Sequence, residues 1–304
     1  MHQRTLLIAA LGAALFVLGA VAPRPVRAVD GVIEINQAKA MAGGVTGSLT
    51  DDPPGFPVTI TKSGSYRLTG NLTVPSDTGG IIVAAEHVEV DLNGFTISGG
   101  GGSATGVNIS PLFCRIRNGE VTGFAGLGIA GNSTSIEDVR VTRCGTGITT
   151  GFRSSVRRCL VSGSTGTGIS AADSHIEGCT IADNVRGIVA TLGVNRLTDN
   201  IVTGNRRQGI AITRGLVAGS VVSGNGADGT DPASTSGINI SGGTTASCAI
   251  IGNVIQGNSG AGIAFTSGAV AASTGLSDNV ITANGGGAFF GGTPTSMGGN
   301  VDQP

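Results

Sequence analysis

Aliphatic residues recur along this chain at an interval close to twenty. Ile116, Ile136, Val156, Ile176, Leu197 and Val217 are spaced by 20, 20, 20, 21 and 20 residues. Five residues after each stands a second aliphatic: Val121, Val141, Val161, Ile181, Val202 and Val222. Seven or eight further on comes a third, usually as a Gly-Ile pair, at Ile129, Ile148, Ile169, Ile188 and Ile210. After longer insertions the phrase returns as Ile250, Ile255, Ile263 and as Leu276, Ile281, Phe289. Turn-forming residues separate the three apolar touches, so each copy predicts three short strands and three bends. A fixed period of this kind marks a stacked repeat architecture. Stacking places equivalent residues about 4.8 Å apart, the spacing of neighbouring strands. Three parallel sheets then grow along the axis, each with an inward aliphatic ladder. Connections between parallel strands are right-handed. The pattern thus predicts an all-β, single-stranded right-handed parallel β-helix, a three-sided solenoid of about ten coils of roughly twenty residues.

Other repeats fit worse. A leucine-rich repeat needs LxxLxL, and Leu is sparse; a hexapeptide coil needs a strict interval of six; calcium-binding nonapeptides need GGxGxD, which is absent. The polar positions are periodic too. Asn184, Asn205, Asn225, Asn258 and Asn284 lie eight residues after the first aliphatic of their coils, and Asn200, Asn253 and Asn279 lie three after it. Asn tolerates left-handed backbone and bonds turn groups with its side chain, so an amide ladder along a corner is expected. Cys159 and Cys179 share the third position in adjacent coils. They are expected as small buried fillers, with a disulfide as the alternative.

Composition agrees with turns and strands: Gly 54, no Trp, one Tyr, and charged residues at 12%, about half the usual share. Arg4, the apolar run Leu6 to Val21 and Val26-Arg27-Ala28 have the layout of a signal peptide, residues 1–28. The run is about sixteen residues, short of the roughly twenty that span a bilayer, and no later stretch could span one. Its removal leaves 15 basic against 19 acidic residues. That balance argues against a nucleic-acid partner. The expected address is outside the cytoplasm, periplasmic or extracellular, and the expected state a monomer. Five Cys remain, an odd number without a CxxC or Cys/His spacing, so a zinc site is not expected.

The segment Val88-Glu89-Val90-Asp91-Leu92-Asn93-Gly94-Phe95-Thr96-Ile97-Ser98-Gly99 resembles the opening coil of bacterial β-helix proteins of the pectin-lyase-like superfamily. Gly64-Ser65-Tyr66-Arg67-Leu68-Thr69-Gly70-Asn71-Leu72 resembles the strand pair that precedes it. The resemblance implies a β-helix over 58–290, with residues 29–57 as an N-terminal cap and 291–304 as a tail. It does not fix an activity, since the superfamily holds lyases, hydrolases, epimerases and non-catalytic surface proteins.

The superfamily's enzymes carry catalytic residues on an outward sheet face, which directs attention to residues flanking the first aliphatic. One column reads Arg117, Glu137, Arg157, Glu177. Alternating signs at strand spacing suit a surface ion ladder. The same face can bind an acidic polysaccharide, with Arg115, Arg117, Arg157 and Arg196 gripping uronate carboxylates through paired hydrogen bonds. His175, with Glu177 and Asp199, is the candidate proton-transfer group for a lyase or hydrolase. Arg186, Arg206 and Arg207 form a second basic patch, and the insertion around Gly224 to Ser236 carries Asp228 and Asp231. No cofactor is expected, with calcium as the alternative although no ligand cluster is seen: a pectate-lyase calcium site needs aspartates on adjacent coils, and Asp138 and Asp199 are separated by two coils or more. Polygalacturonase and epimerase motifs are missing. The leading expectation is an exported β-helix protein that contacts polysaccharide or cell-surface material. A lyase or hydrolase of acidic polysaccharide and a purely structural or adhesive protein remain as alternatives.

Overall fold

Strands form where the aliphatic phrase places them, because Val and Ile restrict the backbone to extended conformations and fill a pleated surface well. The computed structural model describes residues 31–302 apart from 230, 232, 243–245 and 297; the expected signal peptide, 1–28, lies outside the described residues. One sheet has eleven parallel strands in chain order, from Val58–Ile60 to Phe289–Phe290. The other two faces form a single 21-stranded network. They are joined because Cys114–Thr122 and Thr134–Thr142 run unbroken round the corner between them. We call these two faces the first and second sheets, and the eleven-stranded one the third. The result is a three-sided parallel solenoid of about 11 turns.

The three ladders are in register and sealed. On the first sheet Ile116, Ile136, Val156, Ile176 and Leu197 stack directly, and on the second Val141, Val161, Ile181 and Val202 do. All are 0% exposed. Burying each contributes roughly 1.5–3 kcal/mol, which is what holds so glycine-rich a chain in one shape.

Each coil turns three corners, and each corner takes one residue in the left-handed region. At the first corner these are Asn118, Asp138, Arg158, Gly178 and Asp199, with φ between 51° and 67°. At the third they are His87, Phe113, Ser133, Arg153 and Asp173, with φ between 46° and 59°. The Gly of the Gly-Ile pair has a different reason. A Cβ on Gly168 would lie 2.7 Å from Ile181 Cγ2 and 2.9 Å from Gly187 O, so only glycine lets the coils close up there.

Behind the corners runs the expected amide ladder. Asn205 is 0% exposed. Its Nδ2 donates to Ile181 O at 3.1 Å and to Asn225 Oδ1 at 2.9 Å, while its Oδ1 accepts from Asn184 N at 3.0 Å. Asn253 repeats the arrangement with Val217 O and Asn279 Oδ1. Cys159 and Cys179 fill the same kind of place as free, buried thiols, Cys159 N–H lying 3.4 Å from Cys179 Sγ.

At the N-terminal end, Val32–Ile35 adds a strand beside Gly64–Leu68, and a short helix, Gln37–Ala42, follows. Asp52, 0% exposed, ties this segment to the first full coil by accepting from Val45 N at 2.8 Å and Thr59 N at 2.7 Å. At the other end Thr295–Ser296 and Val301–Asp302 pair onto the first and second sheets.

Candidate functional site

Among the described residues, the outward positions of the first sheet collect most of the side-chain ion pairs. Alternation along each strand turns the residues on either side of the inward aliphatic to the outer face of the sheet, where Asp91, Glu137 and Thr198 are covered by their neighbours. One outward column runs Glu89, Arg115, Ser135, Ser155, His175, Arg196; the other runs Asp91, Arg117, Glu137, Arg157, Glu177, Thr198. Beyond Arg196 and Thr198 the next rung offers only Leu216 and Ala218, so the charge stops there.

Some ion pairs follow one column, Arg117 with Asp91 and Arg157 with Glu177, and others cross between the two. Arg117 reaches back to Glu89 at 2.8 Å and to Asp91 at 3.0 Å. Glu137 is held instead by Arg115 and by Ser135 Oγ, the latter at 2.6 Å. Arg158, at the corner, pairs with Asp138 at 2.8 Å. Arg157 Nε lies 3.2 Å from Glu177 Oε2 but is not aligned to donate to it. The hydrogen bond from Ser135 and the guanidinium of Arg115 hold the Glu137 carboxyl below its ordinary range, against the opposing effect of burial. Arg158 does the same for Asp138. These carboxylates are ionised and satisfied, so the centre of the face is a neutralised lattice.

Its C-terminal edge differs. His175 is part-buried, and its Nε2 lies 3.1 Å from Thr198 Oγ1 and 4.0 Å from Glu177 Oε2. Arg196 stands beside it on the next rung, exposed, and among the described residues its guanidinium has no hydrogen bond or ion pair. Burial lowers the His175 pKa below its ordinary 6.5; Glu177 opposes the shift, and Arg157 and Arg196 reinforce it. The ring is therefore neutral at neutral pH and able to accept a proton. Asp199 does not join this group. It occupies the first corner at φ 57°, with its carboxylate over Gly219 of the next coil.

The second basic patch lies on another part of the surface. Arg207 donates its backbone N–H to Val185 O at 2.7 Å, beside Arg186. Arg206 pairs with Asp228 of the inserted loop. Arg207, Asp228, Asp231 and Ser234 line an open cleft of about 590 Å³. Among the described residues, no group of three or more His, Cys, Asp or Glu is placed to hold a metal ion.

A family model described as a right-handed beta helix region matches residues 79–225, and the parallel three-sided stack has the same fold. The chain is a right-handed parallel β-helix repeat protein. Its structure is similar to an alginate lyase from a Paenibacillus species, with TM-score 0.56 and 10% identity over 88% of this chain and 98% of that one. It is also similar to the A-module of the Azotobacter vinelandii mannuronan C-5 epimerase AlgE4, with TM-score 0.54 and 13% identity over 90% and 88%. The Dettilon tailspike protein aligns with TM-score 0.50 and 15% identity over 77% of this chain but only 59% of its own. No curated protein matches the sequence.

Thr198, which flanks Leu197 opposite Arg196 in the sequence pattern, closes the outward column. The column Arg117, Glu137, Arg157, Glu177 continues to it once the 21-residue interval to Leu197 is allowed for. The state of its His175 partner can be measured. Unfolded, the imidazole takes up its proton first as pH falls, so the group lowers stability progressively below about pH 6.5 and has no effect well above it. A titration followed by the His175 ring proton resonances is expected to have its midpoint below 6.5, and Arg196→Ala to raise it. A midpoint at or above the ordinary value would contradict the burial of the neutral ring.

Proposed function

We propose that this chain is an exported β-helix protein that binds an anionic polysaccharide lengthwise on the outward face of its first sheet. The observation that carries this reading is the C-terminal edge of the charged lattice. There Arg196 is unpaired and exposed, beside a neutral His175 and the hydroxyl of Thr198. A fixed fork of donors with no protein acceptor suits a uronate carboxylate. A rigid sheet with rungs about 4.8 Å apart presents such groups at regular intervals to an extended chain. The likeness to an alginate lyase and a mannuronan epimerase supports a polyuronate as the polymer class.

The test is retention of the mature protein by alginate and by polygalacturonate, against dextran as the neutral control. Losing a charge-assisted hydrogen bond costs about 1.5–3 kcal/mol, so Arg196→Ala is expected to weaken polyuronate binding roughly ten- to a hundredfold. Arg157→Ala, which also frees Glu177, is expected to weaken it in the same direction. Binding should fall with added salt. Undiminished retention of both variants would remove this face from consideration.

A second reading rests on the lowered His175 pKa. A neutral imidazole beside a free guanidinium has the two parts β-elimination requires. The base takes the proton next to the uronate carboxylate while the cation neutralises that carboxylate. The glycosidic oxygen then leaves, taking up the proton that the imidazole has accepted or one from water, and a double bond remains in the ring. Unsaturated oligosaccharides, detected by mass spectrometry after incubation with alginate, would establish this activity; an unchanged polymer would leave binding alone.

A further inference from the structure

The third corner, which carries the chain from the third sheet to the first, changes length from coil to coil. Val107 to Arg115, Ile129 to Ser135, Ile148 to Ser155, Ile169 to His175, Ile188 to Arg196 and Ile210 to Leu216 all join equivalent rungs, and these steps are 8, 6, 7, 6, 8 and 6 residues. A long corner bulges where a short one lies flat, and long and short alternate. The bulges carry Leu112, Phe113, Phe152, Leu192 and Val194, which are 41–65% exposed and make up five of the eleven large exposed apolar residues among those described. The flat corners between them carry Asn132 and Ser133, then Ala172 and Asp173, then Thr213 and Arg214. One edge of the solenoid is therefore a row of three apolar knobs, two coils or about 10 Å apart, with a hollow after each.

Single exposed apolar residues need no explanation, but a continuous row of them does. The first knob is also held firmly, since the Phe113 ring stacks on His87 with centroids 5.3 Å apart and planes within 7°. Charge on this edge is equally uncommitted. Arg153, beside Phe152 on the middle knob, is exposed, and among the described residues its guanidinium has no hydrogen bond or ion pair. Asp173 follows it on the next coil, where Arg153 N–H donates to Asp173 O at 2.9 Å, yet the two side chains do not pair. Arg214, in the last hollow, is exposed and without a side-chain partner in the same way.

We propose that this edge is an interface between two copies of this chain running antiparallel. Knob and hollow alternate with a period of two coils, so the row fits itself only when one copy is displaced by one coil. A two-fold axis in the plane of contact, at right angles to the solenoid and level with the step between Phe152 and Ala172, does this. Phe152 of one copy then faces Ala172 of the other, Leu192 faces Asn132, and Phe113 faces Arg214, whose guanidinium suits the face of the ring. The same axis sets Arg153 against Asp173 of the other copy, and every contact occurs twice. A pair running parallel would put knob against knob and the two Arg153 side chains at one level, so shape and charge both select the antiparallel one. An interface confined to one edge is small, and small interfaces associate weakly; a dissociation constant of about 10–100 μM is expected. The expected monomer thus becomes a concentration-dependent pair, whatever the first sheet binds.

The experiment is sedimentation velocity of the mature protein from about 1 to about 300 μM, where the parent should pass from monomer to dimer. Phe152→Asp is expected to weaken the pair about a hundredfold or more, since two phenyl rings leave the interface. Arg153→Asp and Asp173→Arg should each weaken it about tenfold or more by facing like charges, and the double variant should regain the parent's association. An equimolar mixture of the two single variants should regain it too, because each copy then meets an opposite charge at both places. Ile201→Asp, at an exposed apolar position on the second sheet, should leave association unchanged. Phe152 and Arg153 are exposed, and Arg153 at φ 58° shows that this corner accepts an arginine, so thermal unfolding of the variants should match the parent. A parent that stays monomeric throughout would overturn the interface, as would Phe152→Asp and Arg153→Asp variants that associate as the parent does. Equal loss in Ile201→Asp would mean general adhesion and overturn it as well, and a mixture that fails to associate would overturn the antiparallel axis.

Discussion

Ile181→Asp is expected to leave no folded protein. Ile181 is 0% exposed, at the centre of the second sheet's ladder between Val161 and Val202. Nothing near it can receive a carboxylate, because the neighbouring donors are already committed: Asn205 Nδ2 bonds Ile181 O, and Asn184 Nδ2 bonds Val161 O. Burying an unpaired carboxylate, or protonating it to avoid the charge, costs several kcal/mol and forfeits the packing of a buried Ile. A domain's whole stability is about 5–15 kcal/mol. In a stacked repeat each coil is held by its two neighbours, so the damage falls on the coils above and below as well. The variant should lose its β-sheet circular dichroism and be digested rapidly, whereas Ile181→Val should lose only about 0.5–1.5 kcal/mol. A soluble Ile181→Asp protein that unfolds cooperatively within about 2 kcal/mol of the parent would disprove the inward placement of this residue.

That residue could be chosen from the sequence because every coil meets the same packing requirement at the same phase. The inward aliphatics and the Asn positions repeat for that reason, and the register follows directly. Corners are less legible, because their demand is on the backbone and not on the side chain. Asn118, Asp138, Arg158, Gly178 and Asp199 have little in common except φ near +60°. Asp199 therefore looked like a partner of His175, two positions from Leu197 in the neighbouring coil, yet the corner turns its carboxylate over Gly219. The extra residue of the 21-residue interval is absorbed as a register shift on the third sheet, where Ala172 pairs with Leu192. Nothing in its identity marks it.

The charged face shows a second limit. Sequence spacing fixes which residues are neighbours across strands, but long side chains choose between neighbours by rotamer. The alternating column predicted Arg117 against Glu137; instead Arg115 crosses to Glu137 and Arg117 turns to Glu89 and Asp91. The consequence for function is considerable. On this face most of the arginines are neutralised in place, and among the described residues Arg196, at the end of the lattice, has no ion-pair partner. Likewise Phe113 and Phe152 are ordinary apolar residues in the sequence, and only the corner geometry puts them outside.

Asn205→Leu is expected to cost about 2–5 kcal/mol, although it replaces a polar core residue with an apolar one of similar size. Asn205 bridges three coils. The substitution removes the acceptor of Asn184 N–H and the donor to Ile181 O, both buried. Each orphaned backbone group costs about 1–3 kcal/mol, more than the gain from burying a leucine side chain at a place shaped for an amide. Urea unfolding should report the loss as a lower midpoint with little change in slope; an unchanged midpoint would mean the ladder is decorative. The ladder also predicts its own extension. Ser164 occupies the corresponding place one coil before Asn184, where Asn184 Oδ1 accepts from Ser164 N at 2.9 Å, but Ser164 Oγ has no partner. Ser164→Asn would place a carboxamide opposite the carbonyl of Val141, as Asn184 meets Val161 O. It is expected to stabilise the stack by about 1 kcal/mol. A gain at Ser164 together with a loss at Asn205 is the signature of a cooperative amide column, since the same side chain is rewarded wherever a coil lies on either side of it.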